Sequence, residues 1–150
     1  MTNAPNVYAI GDCSSPIMLA HVASAQGVAA VEHALGHSAA YFGHIIPACI
    51  YVNPEIACVG LTEEQAREKN LSFKTGVFAL GGNGKSIIES GGTGFIKIIA
   101  GSKHGEILGV HIWGPRATDL IAEAALAMRL ESTIDELIST IHAHPTVGEA

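Results

Sequence analysis

Charge is scarce in this 150-residue chain: Asp, Glu, Lys and Arg together supply 15% of it, where about 25% is ordinary for soluble proteins. Hydrophobic residues supply 48%, which excludes disorder and points to a large buried interface. Positive charge is scarcer still. Eight Lys and Arg against fourteen Asp and Glu leave a formal net charge of −6, so the electrostatic footprint needed for binding a phosphate backbone is missing. Neither nucleic acid nor a membrane is expected as a partner. No apolar run reaches the roughly 18 residues of a spanning helix, since Ile45–Val52 contains Pro47 and Leu120–Met128 is interrupted by Glu123. The first six residues carry no basic or apolar signal region, so no secretory leader is expected. Cysteine is limited to Cys13, Cys49 and Cys58 with no C-x-x-C spacing. Three cysteines cannot complete a disulfide framework; they fit a reducing compartment and are expected to be buried small hydrophobes.

Within that frame, Val7–Ile10 reads as a short buried strand stopping at Gly11-Asp12. An alanine-rich stretch from Pro16 to about Gly36 suits a helix packed on several sides, with Ser14 and Ser15 as capping hydroxyls and Gly36 as its stop. Periodicity lapses between Gly36 and Pro47, where His37, Ser38, Gly43 and His44 read as a loop or domain boundary. Ala48–Val52 and Ile56–Gly60 read as strands around Asn53-Pro54. Thr62-Glu63-Glu64-Gln65 is a capping box opening a helix that ends near Asn70. Ser72–Leu80, Ser86–Glu89, Gly94–Ala100 and Ile107–Trp113 read as β runs with tight connections, hence an antiparallel sheet. Pro115 suits a first helical turn, Leu120 to Met128 an amphipathic helix, and Thr133-Ile134-Asp135-Glu136 a second capping box. The fold class expected is α+β, an antiparallel sheet flanked by helices, preceded by the tail of an α/β domain.

The densest polar cluster is His142-Ala143-His144-Pro145-Thr146-Val147-Gly148-Glu149. Three readings stay open for it. Thr146 and Glu149 have the spacing of a capping box for a terminal helix. His142 and His144 alternate onto one face of an extended segment, as two metal ligands would, with Glu149 a possible third. Alternatively one imidazole is an acid/base group whose far nitrogen a carboxylate holds, which fixes its tautomer and supports the imidazolium it becomes. A second candidate is Gly11-Asp12 with Met18, Leu19, Ala20 and His21 at the start of the long helix. A helix N-terminus favours an anionic group, and Asp12 can accept hydrogen bonds from sugar-like hydroxyls.

These motifs occur together in one order. Tyr8-Ala9-Ile10-Gly11-Asp12, Met18-Leu19-Ala20-His21, Asn53-Pro54-Glu55-Ile56-Ala57, Val59-Gly60-Leu61-Thr62-Glu63, Leu108-Gly109-Val110-His111 and His142-Ala143-His144-Pro145-Thr146 resemble the C-terminal part of the dihydrolipoamide dehydrogenase family of flavoprotein disulfide reductases. The resemblance spans essentially the whole chain. It implies residues 1–44 as the end of an FAD-binding region and 45–150 as an interface domain. It implies Asp12 on the FAD ribityl chain, Met18, Leu19, Ala20 and His21 along the flavin, His144 as general base and Glu149 as the carboxylate orienting it. It further implies a homodimer, FAD and NAD as cofactors, and as partners the lipoyl domains of 2-oxoacid dehydrogenase complexes or of the glycine cleavage system, in bacterial cytoplasm or mitochondrial matrix. The family's first G-x-G-x-x-G, its redox cysteine pair and its NAD-binding domain have no counterpart here. The chain accordingly reads as a piece of such an enzyme, cut at both ends and inactive alone. Two other expectations stand beside this one: a free-standing dimerisation module, and a piece of a sister glutathione or mercuric reductase.

Overall fold

The computed structural model describes residues 1–38, 43 and 45–150. The loop expected between Gly36 and Pro47 therefore lies partly outside the described residues. The chain forms two compact units, Met1–His44 and Ile45–Ala150.

In the first unit a 3-10 turn at Gly11–Cys13 precedes one long helix, α1 (Ala20–Ala34). The segment ahead of α1 is tied to it by polar contacts. Gln26 Oε1 accepts the Gly11 N–H at 2.6 Å, and the Tyr8 hydroxyl lies 2.6 Å from His33 Nδ1. Gly11 has φ +71, and a Cβ there would sit 3.1 Å from that of Ala23, so only glycine suits this close approach. The buried strand expected at Val7–Ile10 is absent: the backbone is extended at Ile10, but no described strand pairs with it, and both Val7 and Ile10 are exposed. An apolar run needs a ladder partner before it becomes a strand. Helix α1 also starts four residues later than the pattern suggested. Its cap is Leu19, with no side-chain acceptor, while the Ser14 hydroxyl donates to Gly11 O and the Ser15 hydroxyl accepts from the Ile17 N–H. Those serines serve the preceding turns instead. Nor is the helix packed on several sides, since Val22 is its one buried residue. Gly36 does end it, at φ +79.

The second unit is a five-stranded antiparallel sheet with helices. Its strands are β1 (Ala48–Ile50), β2 (Glu55–Gly60), β3 (Phe73–Ala79), β4 (Phe95–Gly101) and β5 (Ile107–Gly114), in the order β1-β2-β5-β4-β3. The α+β reading is thus the observed class. Pairing Ala57 with Ile112 and Val59 with Val110 places four apolar side chains on one face of the sheet centre. Onto them packs α4 (Ala117–Arg129), through Ala117, Ile121, Ala124 and Ala127. The Glu55 carboxylate fixes the start of α4 by accepting from the Thr118 N–H at 2.9 Å and its hydroxyl at 2.8 Å.

Both capping-box helices are present, α2 (Glu63–Glu68) and α5 (Ile134–Ser139). The β run expected at Ser86–Glu89 is instead a helix, α3 (Gly84–Ser90). Asn83 explains the difference: its side chain accepts the Ser86 N–H at 2.7 Å, and Gly91 closes the helix in the left-handed region. Two caps flanking a seven-residue helix outweigh the β preference of Ile87 and Ile88. Pro115 lies ahead of α4, not in its first turn, because Arg116 holds the cap position at φ +60. Among the described residues, no helix is long and apolar enough to cross a membrane.

Candidate functional site

The site in the second unit is the segment after α5, residues 140–150. None of its residues belongs to a helix or strand, so side chains fix its course. Val147 is almost fully buried and anchors it. The Asn83 side-chain amide donates to Thr146 O at 3.0 Å, and the Thr146 hydroxyl donates to Ala143 O at 2.7 Å. The His144-Pro145 bond is cis.

Around that anchor the two expected residues meet. His144 Nδ1 lies 2.9 Å from Oε2 and 3.1 Å from Oε1 of Glu149. A carboxylate only accepts, so Nδ1 carries a hydrogen, and in the neutral ring Nε2 is then the nitrogen with the lone pair. The His144 side chain is 80% exposed and that of Glu149 23%, which leaves Nε2 accessible and its partner sheltered. The bond from His144 holds the Glu149 carboxyl below the usual glutamate range, with the Thr146 N–H also contributing. That N–H donates to Oε1 at 3.3 Å. Half of the capping-box reading is therefore realised, without the helix: 140–150 ends in turns, and the Thr146 hydroxyl is used elsewhere.

The paired-ligand reading of His142 and His144 fails on geometry. His142 turns to another element, its Nε2 lying 2.7 Å from Glu123 Oε1 on α4 and its Nδ1 3.0 Å from Thr140 O. Among the described residues no group of three or more His, Cys, Asp or Glu could hold a metal ion. Sequence reasoning missed Glu123 and Asn83, which lie 19 and 63 residues from their partners. Glu123, His142 and Glu149 line one groove of about 440 Å³, walled by Ile96, Leu120 and Leu137.

The cysteines are not the buried residues expected. Cys13 is exposed, and Cys49 and Cys58 are partly exposed. All three are free thiols. Cys49 pairs across the ladder with Ala57, the neighbour of Cys58, so the two thiols point to opposite faces. Burial, then Cys58 and Glu55, push the Cys49 thiol up and keep it protonated.

In the first unit Asp12 lies within the 3-10 turn and is exposed. Met18 is exposed, Leu19 is the cap of α1, and Ala20 and His21 are its first two residues. A carboxylate open to hydroxyls and a helix start without a side-chain cap are thus close in sequence on one unit. This is a donor and acceptor set that suits a polyhydroxylated, anionic group.

Residues 46–150 match the model of a protein family described as pyridine nucleotide-disulphide oxidoreductase, dimerisation domain. Over 148 residues the chain is 43% identical to a dihydrolipoyl dehydrogenase of Thermus scotoductus and 44% to one of Bacillus subtilis, covering 99% of this chain and 32% of each relative. Among solved structures, LpdA from Mycobacterium tuberculosis superposes with a TM-score of 0.85 at 30% identity, covering 95% of this chain and 31% of that one. The chain spans about a third of the length of the curated relatives it matches.

Proposed function

The chain belongs to the pyridine nucleotide-disulphide oxidoreductases, whose dimerisation domain it carries over residues 46–150, and on that premise we propose that it works as part of a dihydrolipoyl dehydrogenase. The proposed reaction oxidises protein-bound dihydrolipoamide to lipoamide, with electrons passing through a disulfide and FAD to NAD. One observation carries the reading: an exposed imidazole whose Nδ1–H is taken by a sheltered carboxylate at 2.9 Å, leaving Nε2 bare.

The chemistry of this chain's share follows from that arrangement. A dithiol is a poor nucleophile until a proton leaves one sulfur. His144 Nε2 accepts that proton, the thiolate becomes the attacking group, and the imidazolium is supported by Glu149 across the Nδ1–H bond. A positioned base of this kind contributes about 10²–10⁴-fold. The three free cysteines do not form a local pair, so the disulfide under attack is not supplied by the described residues.

Asp12, Met18, Leu19, Ala20 and His21 are the residues that would hold one portion of a flavin dinucleotide: Asp12 would accept from sugar-like hydroxyls, and the uncapped start of α1 would favour an electron-rich or anionic group. When bound, the flavin supplies two-electron redox chemistry that no side chain here can. Residues 1–44 then form the end of a cofactor-binding region and 45–150 the interface domain. The proposed assembly is a homodimer. It is supported by the matched domain and by large apolar side chains left in solvent, Ile138, Ile141, Leu126 and Leu130 among them. Its proposed partners are the lipoyl domains of 2-oxoacid dehydrogenase complexes or of the glycine cleavage system, in bacterial cytoplasm or mitochondrial matrix.

The test is a graft. This chain replaces the corresponding third of the Bacillus subtilis relative, and NAD reduction by dihydrolipoamide is followed. Turnover by a flavin-loaded graft is expected. A folded, flavin-loaded dimer without turnover would contradict the reading and leave a dimerisation module.

A further inference from the structure

His142 is a residue for which the proposed reaction has no use, yet it is the more firmly held of the two histidines. Its Nε2 faces the Glu123 carboxylate at 2.7 Å and its Nδ1 faces the Thr140 carbonyl at 3.0 Å. Both partners accept and neither donates. A neutral imidazole carries one N–H and cannot satisfy two acceptors; an imidazolium carries two and can. We propose that His142 is a positioning residue, kept as an imidazolium between α4 and the end of α5, which pins the His144 segment in the geometry that lets Glu149 hold His144.

The covalent path is short, because only Ala143 separates the two histidines. The Thr146 hydroxyl closes the turn onto the carbonyl of that same Ala143. A clamp at His142 on one side and the buried Val147 on the other therefore fix both ends of the four residues, Ala143 to Thr146, that carry His144. The elements around His142 leave little to oppose the charge. Glu123 comes from α4 and Glu149 from the terminal turn, while α5 and β4 present Ile134, Leu137, Ile138, Ile96 and Ile98 to the same groove. Hydrogen bonding to Glu123, and to a lesser degree to Thr140, raises the His142 pKa above the ordinary imidazole value of 6.5. The sign follows: with the folded pKa raised, the clamp is complete below pH 6.5 and is lost as pH rises through the folded value.

The inference rests on His144 being the base, but its test reads His142 directly, so it stands or falls separately from turnover in the graft. The experiment is a histidine side-chain nitrogen titration by NMR on the full chain. Both His142 nitrogens are expected to stay protonated to a pH above 6.5. Glu123→Gln is expected to bring the midpoint down, because the side-chain hydrogen bond to Glu123 is the main cause of the raised value. His142→Gln is expected to shift His144 from one dominant tautomer to a mixture, with the amide spectrum of the sheet unchanged. A His142 midpoint at the ordinary value overturns the clamp, and that result needs no variant at all. A midpoint unmoved by Glu123→Gln, or a His144 tautomer untouched by His142→Gln, overturns it as well.

Discussion

Asn83 holds Thr146 while it caps a helix: its side-chain oxygen takes the Ser86 N–H at 2.7 Å, and its side-chain nitrogen donates to Thr146 O at 3.0 Å. The residue is 4% exposed. One buried amide thus fixes α3 and the segment bearing His144 and Glu149.

Two substitutions separate these roles. Asn83→Ala removes the cap and the tie, and is expected to cost about 2 kcal/mol in denaturant unfolding, the sum of a lost cap and a lost buried hydrogen bond. Asn83→Ser keeps a capping oxygen and loses only the tie, so about 1 kcal/mol is expected. Equal losses from the two would mean that the Thr146 bond contributes nothing.

Glu149 is the second point of control. Its carboxyl is held below the ordinary value of 4.5, first by His144. A depressed carboxyl stabilises its contact above the unfolded pKa and loses it as pH falls through the folded one. Carbon-detected titration should therefore place the Glu149 midpoint below 4.5. In the Bacillus subtilis graft, Glu149→Gln should lower turnover less than removal of the imidazole does, because the amide oxygen can still accept from Nδ1–H. A midpoint at or above 4.5 would show that the pair does not form.

Gly60 tests the sheet beneath the site. Its φ is +78, and a Cβ would collide with the carbonyl oxygen of Leu108 and the backbone of Gly109 across the ladder. Gly60→Ala combines left-handed strain with a backbone clash, so a loss of about 3 kcal/mol or more is expected in thermal unfolding. A loss under about 1 kcal/mol would mean that the β2–β5 register differs from the one described.

The proposed homodimer is checked by sedimentation. The chain should run at twice its 15.5 kDa mass, and a carboxylate in place of Ile138 or Ile141 should shift it toward monomer if those side chains are covered. A monomer at micromolar concentration would contradict the proposal.

The parts legible in the sequence were those set by local spacing. Thr62 with Gln65 and Thr133 with Glu136 announce α2 and α5 because a cap involves residues three apart. The paired strands followed from β-rich runs between turn residues. The two misread strands share a cause, which is that a short apolar run does not reveal its partner. Val7–Ile10 lacks a ladder among the described residues, and Ile87-Ile88 is drawn into a helix by Asn83. At the site, spacing drew attention to His142, His144 and Glu149 but could not choose between base, metal ligand and cap; His144 with Glu149 was singled out by the family resemblance. The structure shows Glu149 bonding both the His144 ring and the Thr146 N–H. Glu123 with His142 was beyond reach, because nothing local joins residues 19 apart on different elements.

The measurement nearest the central claim is the turnover of the Bacillus subtilis graft carrying His144→Gln, with flavin absorbance recorded on the same sample. A loss of about 10²–10⁴-fold with the flavin still bound is predicted. Near-normal turnover would show that His144 is not the base.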